Sequence, residues 1–187
     1  MPSEPVIVIG LTGPNAAGKG EVARYLASRG FACHSLSDIV REQALAAGGD
    51  VSRESLIETG RRLRREGGPG ILAEMLVPRL EGRAVVDSIR HPAEVAVLRR
   101  LPAFRLLGVD ADVSVRFERA RRRARAGDAP DLDGFRAQEA LENRPDADSQ
   151  QLAATLALAD AVVRNEGTID ELIESVRAVL AGWGVEP

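Results

Sequence analysis

Residues 6–28 read VIVIGLTGPNAAGKGEVARYLAS, and three signals follow one another in that stretch. Val6–Gly10 is a short β-branched run of strand type. Gly13-Pro14-Asn15-Ala16-Ala17-Gly18-Lys19-Gly20 is a glycine-rich loop carrying one cation, and Glu21–Ser28 has helical composition. A loop of this kind between a strand and a helix is suited to holding phosphate. Its glycines let the backbone wrap closely, so that successive amide N–H groups point at anionic oxygens. The helix that follows adds the positive end of its dipole. Lys19 then reaches the β- and γ-phosphates of a nucleoside triphosphate as a mobile point charge. Residues 13–20 and the adjoining Glu21 are therefore the candidate nucleotide-binding set. Such loops usually end in Ser or Thr, whose hydroxyl binds Mg²⁺, but here Gly20 and Glu21 follow the lysine. Magnesium would be held by waters, phosphates and a carboxylate from elsewhere.

The lysine stands out for a second reason. Of 25 basic residues among the 187, Lys19 alone is lysine and the rest are arginine. Arginine-rich codon usage accounts for most of this bias, yet the exception falls where a compact ammonium serves and a planar guanidinium does not. The formal net charge of -3 argues against a general nucleic-acid partner. Hydrophobic residues make up 44% with only 3% aromatic, so one globular domain with an aliphatic core is expected. A single cysteine, Cys33, excludes a disulfide framework or a thiolate metal cluster within the chain. No signal-peptide pattern and no bilayer-length apolar run is present, which points to a reducing, cytoplasmic setting without a membrane partner. His34 and His91 show no metal-ligand spacing.

Strand and helix signals alternate along the rest of the chain. Strands are expected at Phe31–Ser35, Ala84–Ser88, Arg105–Val109 and Ala161–Arg164. Helices are expected from a Ser37 cap towards Ala47, then at Arg53–Glu66, Ile71–Leu80, Ala93–Arg100, Val113–Ala126, Phe135–Asn143, Gln150–Leu158 and Ile169–Ala181. Gly127–Gly134 reads as a polar loop, and this loop and Arg144–Gln150 are the expected mobile parts. Five short apolar strands separated by helices predict an α/β fold with a parallel sheet covered on both faces.

The phosphate loop, Ser37-Asp38-Ile39-Val40-Arg41, the strand end Val85-Val86-Asp87-Ser88-Ile89-Arg90 and Ala159–Gly167 occur in an order that resembles P-loop kinases of the nucleoside monophosphate and dephospho-CoA type. The resemblance covers nearly the whole chain and is nearest to dephospho-CoA-kinase-related nucleotide kinases. It implies a three-layer α/β/α P-loop fold with acceptor-binding helices at about 37–81 and a small helical lid at about 116–135. It also implies ATP and Mg²⁺ as cofactors and a small nucleotide-like acceptor. Transfer of the γ-phosphoryl group to a nucleoside monophosphate is the leading expectation. Phosphorylation of the dephospho-CoA 3′-hydroxyl and a non-catalytic nucleotide-binding regulator are the alternatives.

Individual residues carry over with a physical reading each. Asp38 and Arg41, three apart on one helix face, correspond to an acceptor-orienting carboxylate and a phosphate-gripping arginine; Asp38 is equally readable as a first-turn acid. Asp87, at the carboxyl end of an apolar strand, would order water around Mg²⁺. Arg90 follows it as an acceptor or phosphate contact, or as a surface arginine. Arg116, Arg119 and Arg123 share a helix face, and Arg119 and Arg123 are chosen as the lid arginines that neutralise the moving phosphoryl group. Arg121, Arg122 and Arg125 point elsewhere. Asn165 and Gly167 would form a turn beside adenine or simply end the strand. The run Arg61, Arg62, Arg64, Arg65 either edges the acceptor pocket or lies in solvent.

Overall fold

The computed structural model describes residues 7–124, 127–143 and 148–186. Strands β1 (Ile7–Thr12), β2 (Ala32–Ser35), β3 (Arg83–Asp87), β4 (Ala103–Asp110) and β5 (Ala161–Arg164) form one parallel sheet in the order β2-β3-β1-β4-β5. The intervening helices are α1 (Lys19–Ser28), α2 (Leu36–Ala46), α3 (Arg53–Gly67), α4 (Ile71–Leu76), α5 (Pro92–Leu98), α6 (Val113–Arg123), α7 (Leu132–Glu142), α8 (Leu152–Leu156) and α9 (Ile169–Gly182). The three-layer α/β/α arrangement expected of the sequence is therefore present.

Alternation along β1 explains the layering. Val8 faces α2–α5 with Ala84, Val86 and Leu106, whereas Ile9 and Leu11 face α1 and α9 with Val85, Leu107 and Val109. Every one of these side chains is buried, which is why the strands read as unbroken apolar runs. Each buried Val, Ile or Leu among them contributes roughly 1.5–3 kcal/mol of hydrophobic stabilisation. Strand order reverses at β1, with β3 on one side and β4 on the other, and the loop after β1 opens at that switch point. Two bonds fasten this edge: Thr12 Oγ1 donates to Ile89 O at 2.8 Å, and Ile89 N to Leu11 O at 3.3 Å.

Several boundaries differ from expectation for local reasons. Helix α2 is capped by Ser35 rather than Ser37, because Ser35 is where the extended β2 backbone stops and its Oγ accepts from Ser37 N. Helix α7 begins at Leu132, inside the stretch expected as a loop, since Asp131 caps it by accepting from Gly134 N at 2.7 Å. Ile71–Leu80 is one α-helix followed by a single 3-10 turn at Val77–Arg79. Val6, Arg125, Ala126 and residues 144–147, the last belonging to an expected mobile stretch, lie outside the described residues.

The arginine run on α3 is split. Arg62 pairs with Glu66 on the helix surface, and Arg65 is exposed. Arg64 is buried and donates to the fully buried Glu94 at 3.0 Å. The same carboxylate accepts from the backbone N–H groups of Arg90 at 2.8 Å and His91 at 3.1 Å. One glutamate thus ties α3 to the start of α5 and fixes the backbone at Arg90; removing either charged partner would cost about 3–5 kcal/mol.

His91 is the N-cap of α5, its Nδ1 accepting from Ala93 N at 3.1 Å. The cap requires an unprotonated Nδ1, and burial, the largest influence, holds the imidazole below its usual pKa. The unfolded chain therefore takes up this proton first. Stability is full above about pH 6.5, falls with a slope of at most about 1.4 kcal/mol per pH unit below it, and levels off below the folded pKa. His91→Asn keeps an N-cap acceptor without a titrating ring. Urea midpoints at pH 7.5 and 5.5 should move apart less in this variant than in wild type; equal movement would remove His91 from the acid response.

Candidate functional site

The loop between β1 and α1 adopts the backbone that its glycines allow. Gly13 and Gly18 have φ of +135° and +113°, and Ala16 between them has φ of +60°. A Cβ at Gly13 would overlap Val109 O, and one at Gly18 would overlap the Asn165 carboxamide. Lys19 opens α1 and folds its side chain back over the loop, Nζ donating to Gly13 O at 2.7 Å and Pro14 O at 2.8 Å. Burial pulls the ammonium down to a pKa of about 8, against the opposing attraction of Asp87; Arg90 and Arg116 lower it further, and Glu139 raises it. Among the described residues these four side chains, drawn from β3, the segment after it, α6 and α7, are the charges that act on Lys19.

The arginine face of α6 reaches the loop, with roles divided among its members. Arg116 is buried, with Nε donating to Ala111 O at 3.0 Å and NH1 to Asn15 O at 3.3 Å, while the guanidinium fork engages both oxygens of Glu139. Arg123 lies within 3.5 Å of Asn15 Oδ1 and also pairs with Asp128 at 3.3 Å. Arg119, expected beside the transferring phosphate, instead donates to Asn165 O at 2.8 Å and to its Oδ1 at 3.3 Å. With Gly167, Ser114 and Arg122 it lines an open cleft of about 370 Å³. Asn165 is equally committed: its Nδ2 donates to Ala17 O at 2.7 Å. Expected to face a base, its side chain is a strut of the loop, and Gly167 alone of the pair lines the open cleft. Arg121 pairs with Glu118 at the surface.

On the opposite side, Asp87 ends β3, its Oδ1 accepting from Ser88 N at 2.6 Å. Arg90 donates to Gln150 Oε1 at 3.3 Å, and its carbonyl accepts from Gln151 N at 2.8 Å. Between Arg116, Glu139, Gln150, Leu156 and the loop residues Pro14 and Asn15 lies a half-enclosed cleft of about 230 Å³. Asp38 and Arg41 are exposed on α2 and form an ion pair with each other. They start at the correct sheet edge, but neither is among the charges that Lys19 feels. Sequence reasoning missed the polar cleft residues Glu139, Asn143 and Gln150 and the apolar wall of Leu152, Ala153 and Leu156.

No model of a protein family matches the chain. Relatives do match along almost all of it. A UPF0200 protein of Methanoculleus marisnigri is 31% identical over 182 residues, covering 95% of this chain and 97% of that one. Another, of Methanothermobacter thermautotrophicus, is 32% identical over 180 residues, covering 94% and 90%. The chain belongs to the UPF0200 family. Solved structures resemble this UPF0200 member in fold. A Thermus thermophilus protein, TT1252, aligns at a TM-score of 0.64 with 24% identity, covering 96% and 98% of the two chains. Shikimate kinase from Bacteroides thetaiotaomicron gives 0.59 at 13% identity, covering 94% and 98%. The APS kinase of Mycobacterium tuberculosis, in complex with AMPPNP and APS, gives 0.53 at 20% identity, covering 96% and 99%. At these identities the likeness is one of P-loop kinase fold.

The donors present fit a magnesium ion held largely through water. Asp87 has Oδ2 without a hydrogen bond among the described residues, and triphosphate oxygens would supply the remaining hard ligands. Glu21 is turned away into a fork with Arg24. No group of three or more His, Cys, Asp or Glu side chains suited to a metal occurs among the described residues. No helix among the described residues is long and apolar enough to cross a membrane.

The loop geometry makes two neighbouring glycines respond oppositely to one substitution. A Cβ on Gly20 meets nothing within 4 Å, so Gly20→Ala should raise stability by about 0.5 kcal/mol through helix propensity. Gly18→Ala should cost roughly 1–3 kcal/mol from its positive φ and the collision with Asn165. Thermal midpoints of the two variants on the same side of wild type would contradict this loop conformation.

Proposed function

We propose that this UPF0200 protein is an ATP-dependent phosphotransferase that moves the γ-phosphoryl group to a small nucleotide-like acceptor. The observation carrying this reading is the convergence of Lys19, Asp87, Arg90 and Arg116 at the switch point of the sheet, around a loop of phosphate-binding conformation. Phosphoryl transfer needs positioning and charge neutralisation more than covalent help. The backbone N–H groups of the loop, Pro14 having none, and Lys19 would hold the donor phosphates. Asp87 would order water on Mg²⁺, which supplies further charge neutralisation when bound. The donor base would lie in the open cleft beside Arg119 and Gly167. Arg116 and Arg123, both touching Asn15, take over the phosphate-facing role first expected of Arg119 and Arg123. The acceptor would enter the cleft between Arg90, Gln150 and the loop, with Asp38 and Arg41 guiding it at the rim. The α6–α7 unit would then act as the lid and α2–α4 as the acceptor side. The APS kinase solved in complex with AMPPNP and APS has the same fold.

Coupled detection of ADP with nucleoside monophosphates, deoxynucleoside monophosphates and dephospho-CoA as acceptors tests the proposal. Formation of ADP only in the presence of one acceptor class is the expected result. ATP binding without acceptor-dependent turnover across the panel would replace the kinase with a nucleotide-binding regulator, a reading that the missing hydroxyl at Gly20 keeps available.

Lys19 provides a test independent of the acceptor. A phosphate beside its ammonium raises the pKa from about 8, so ATP binding near and above that pH must take up a proton. Calorimetric enthalpies at pH 8.5 should therefore vary with the buffer's ionisation enthalpy. Affinity should fall by up to about tenfold per pH unit above 8. Lys19→Arg, with a cation that does not titrate in this range, should bind more weakly and lose the buffer dependence. Buffer-independent enthalpies in the wild type would show that Lys19 does not meet the phosphates.

A further inference from the structure

Glu139 is an odd neighbour for a phosphate site. Its carboxylate stands at the mouth of the loop, close enough that Lys19 feels its charge, and it lines the same cleft as Pro14 and Asn15. A triphosphate entering there would meet an anion in a partly dehydrated place, where repulsion is poorly screened. What Glu139 does in the fold is equally specific. Arg116 spends Nε on Ala111 O and one NH1 hydrogen on Asn15 O, and turns the remaining fork, NH1 and NH2, onto the two carboxylate oxygens. A fork presented to two oxygens of an anion is the geometry that phosphoryl groups use.

Resting on the phosphotransferase reading, we infer that Glu139 holds the place of a phosphoryl group on Arg116 and gives it up when the donor's terminal phosphate arrives. Three features make the exchange local. Arg116 is anchored by two backbone carbonyls that do not involve Glu139, so its fork stays aimed when the carboxylate leaves. The first turns of α7 are held separately, by Phe135 against Phe117 and Ala120, by the Asp131 cap, and by Gln138 Nε2 donating to Gly127 O at 3.0 Å. Glu139 itself is a quarter exposed, with 26% of its side chain accessible, so a rotamer change takes it to solvent without moving the helix. The exchange leaves the number of paired charges on Arg116 unchanged while releasing an anion from the phosphate path. In the absence of a phosphoryl group, the pairing keeps Arg116 neutralised and the cleft unattractive to other anions.

ATP titrations of wild type and Glu139→Gln, with adenosine as the comparison ligand, test this. Glutamine keeps the shape but surrenders the charge. ATP should bind the variant about tenfold more tightly, the size of one partly buried charge pair, while adenosine affinity stays unchanged. Glu139→Asp, too short to span the fork, should show a smaller gain in the same direction, and it serves if the glutamine variant does not fold. Unchanged or weakened ATP binding would mean that Glu139 only props Arg116, and would overturn the inference. An equal gain for adenosine would overturn it too, as a general opening of the cleft. Absence of ATP binding by wild type and variants alike would instead defeat the phosphotransferase reading.

Discussion

One carboxamide holds the site in shape. Asn165, at the end of β5, donates from Nδ2 to Ala17 O and receives Arg119 on both its side-chain and backbone oxygens. The loop it braces contains positive φ at Gly13, Ala16 and Gly18, conformations that only surrounding structure makes persistent. Through Arg119 the same residue fixes the rotation of α6, and that rotation sets where Arg116 and Arg123 meet Asn15. Loop, last strand and arginine helix are therefore one triangle closed by a buried amide. Truncating its side chain would leave Ala17 O without its donor in a buried setting, which is costlier than losing the bond itself, while Arg119 would keep only the Asn165 backbone oxygen.

The sheet was legible in the sequence because both its faces are covered. Val8, Ile9 and Leu11 need no alternation when α2–α5 and α1 with α9 bury opposite sides, so the inner strands β1 and β3 appear as short apolar runs, whereas β2 at the sheet edge is half polar and partly exposed. Helix ends were less legible, and for a consistent reason. Ser35 and Ser37 are both good caps by type, and the choice between them depends on where β2 stops pairing with β3. Asp131 and Gly134 look like loop residues, yet their spacing is that of a cap and the amide it accepts from. Composition signals a break in both cases and does not say on which side of it the helix lies.

Legibility of the site divides by distance along the chain. The phosphate loop is local in its signal: its eight residues mark the turn by themselves, although Asn165 from the end of the last strand braces it. The shared face of Arg116, Arg119 and Arg123 is also local, being a matter of helical period. Partners across the fold are not: Arg116 meets Glu139 twenty-three positions away, and Arg64 meets Glu94 thirty away. Nothing in an arginine-rich helix says which guanidinium will be buried on a carboxylate. For Asp38 and Arg41 the spacing that marks a functional face also permits the two charges to satisfy each other, and that is what they do.

This pairing has a consequence for how charge is stored around the loop. Arg116 and Arg123 each carry a carboxylate, Glu139 and Asp128, and Arg119 is committed to Asn165. Lys19 has no carboxylate partner among the described residues and donates to two backbone carbonyls of the loop, and its pKa of about 8 reflects burial more than any neutralising partner. An arginine in its place would remain charged whatever its surroundings and would need a matched anion to be buried. A lysine can share the proton's cost with the medium, as its lowered pKa shows. The one lysine in a chain of arginines thus occupies a position where a cation is kept against two backbone carbonyls of the phosphate loop and must still be free to turn outward. At every other cationic position near the loop, planar forks fixed on carboxylates or amides give rigidity, and rigidity is what aims them.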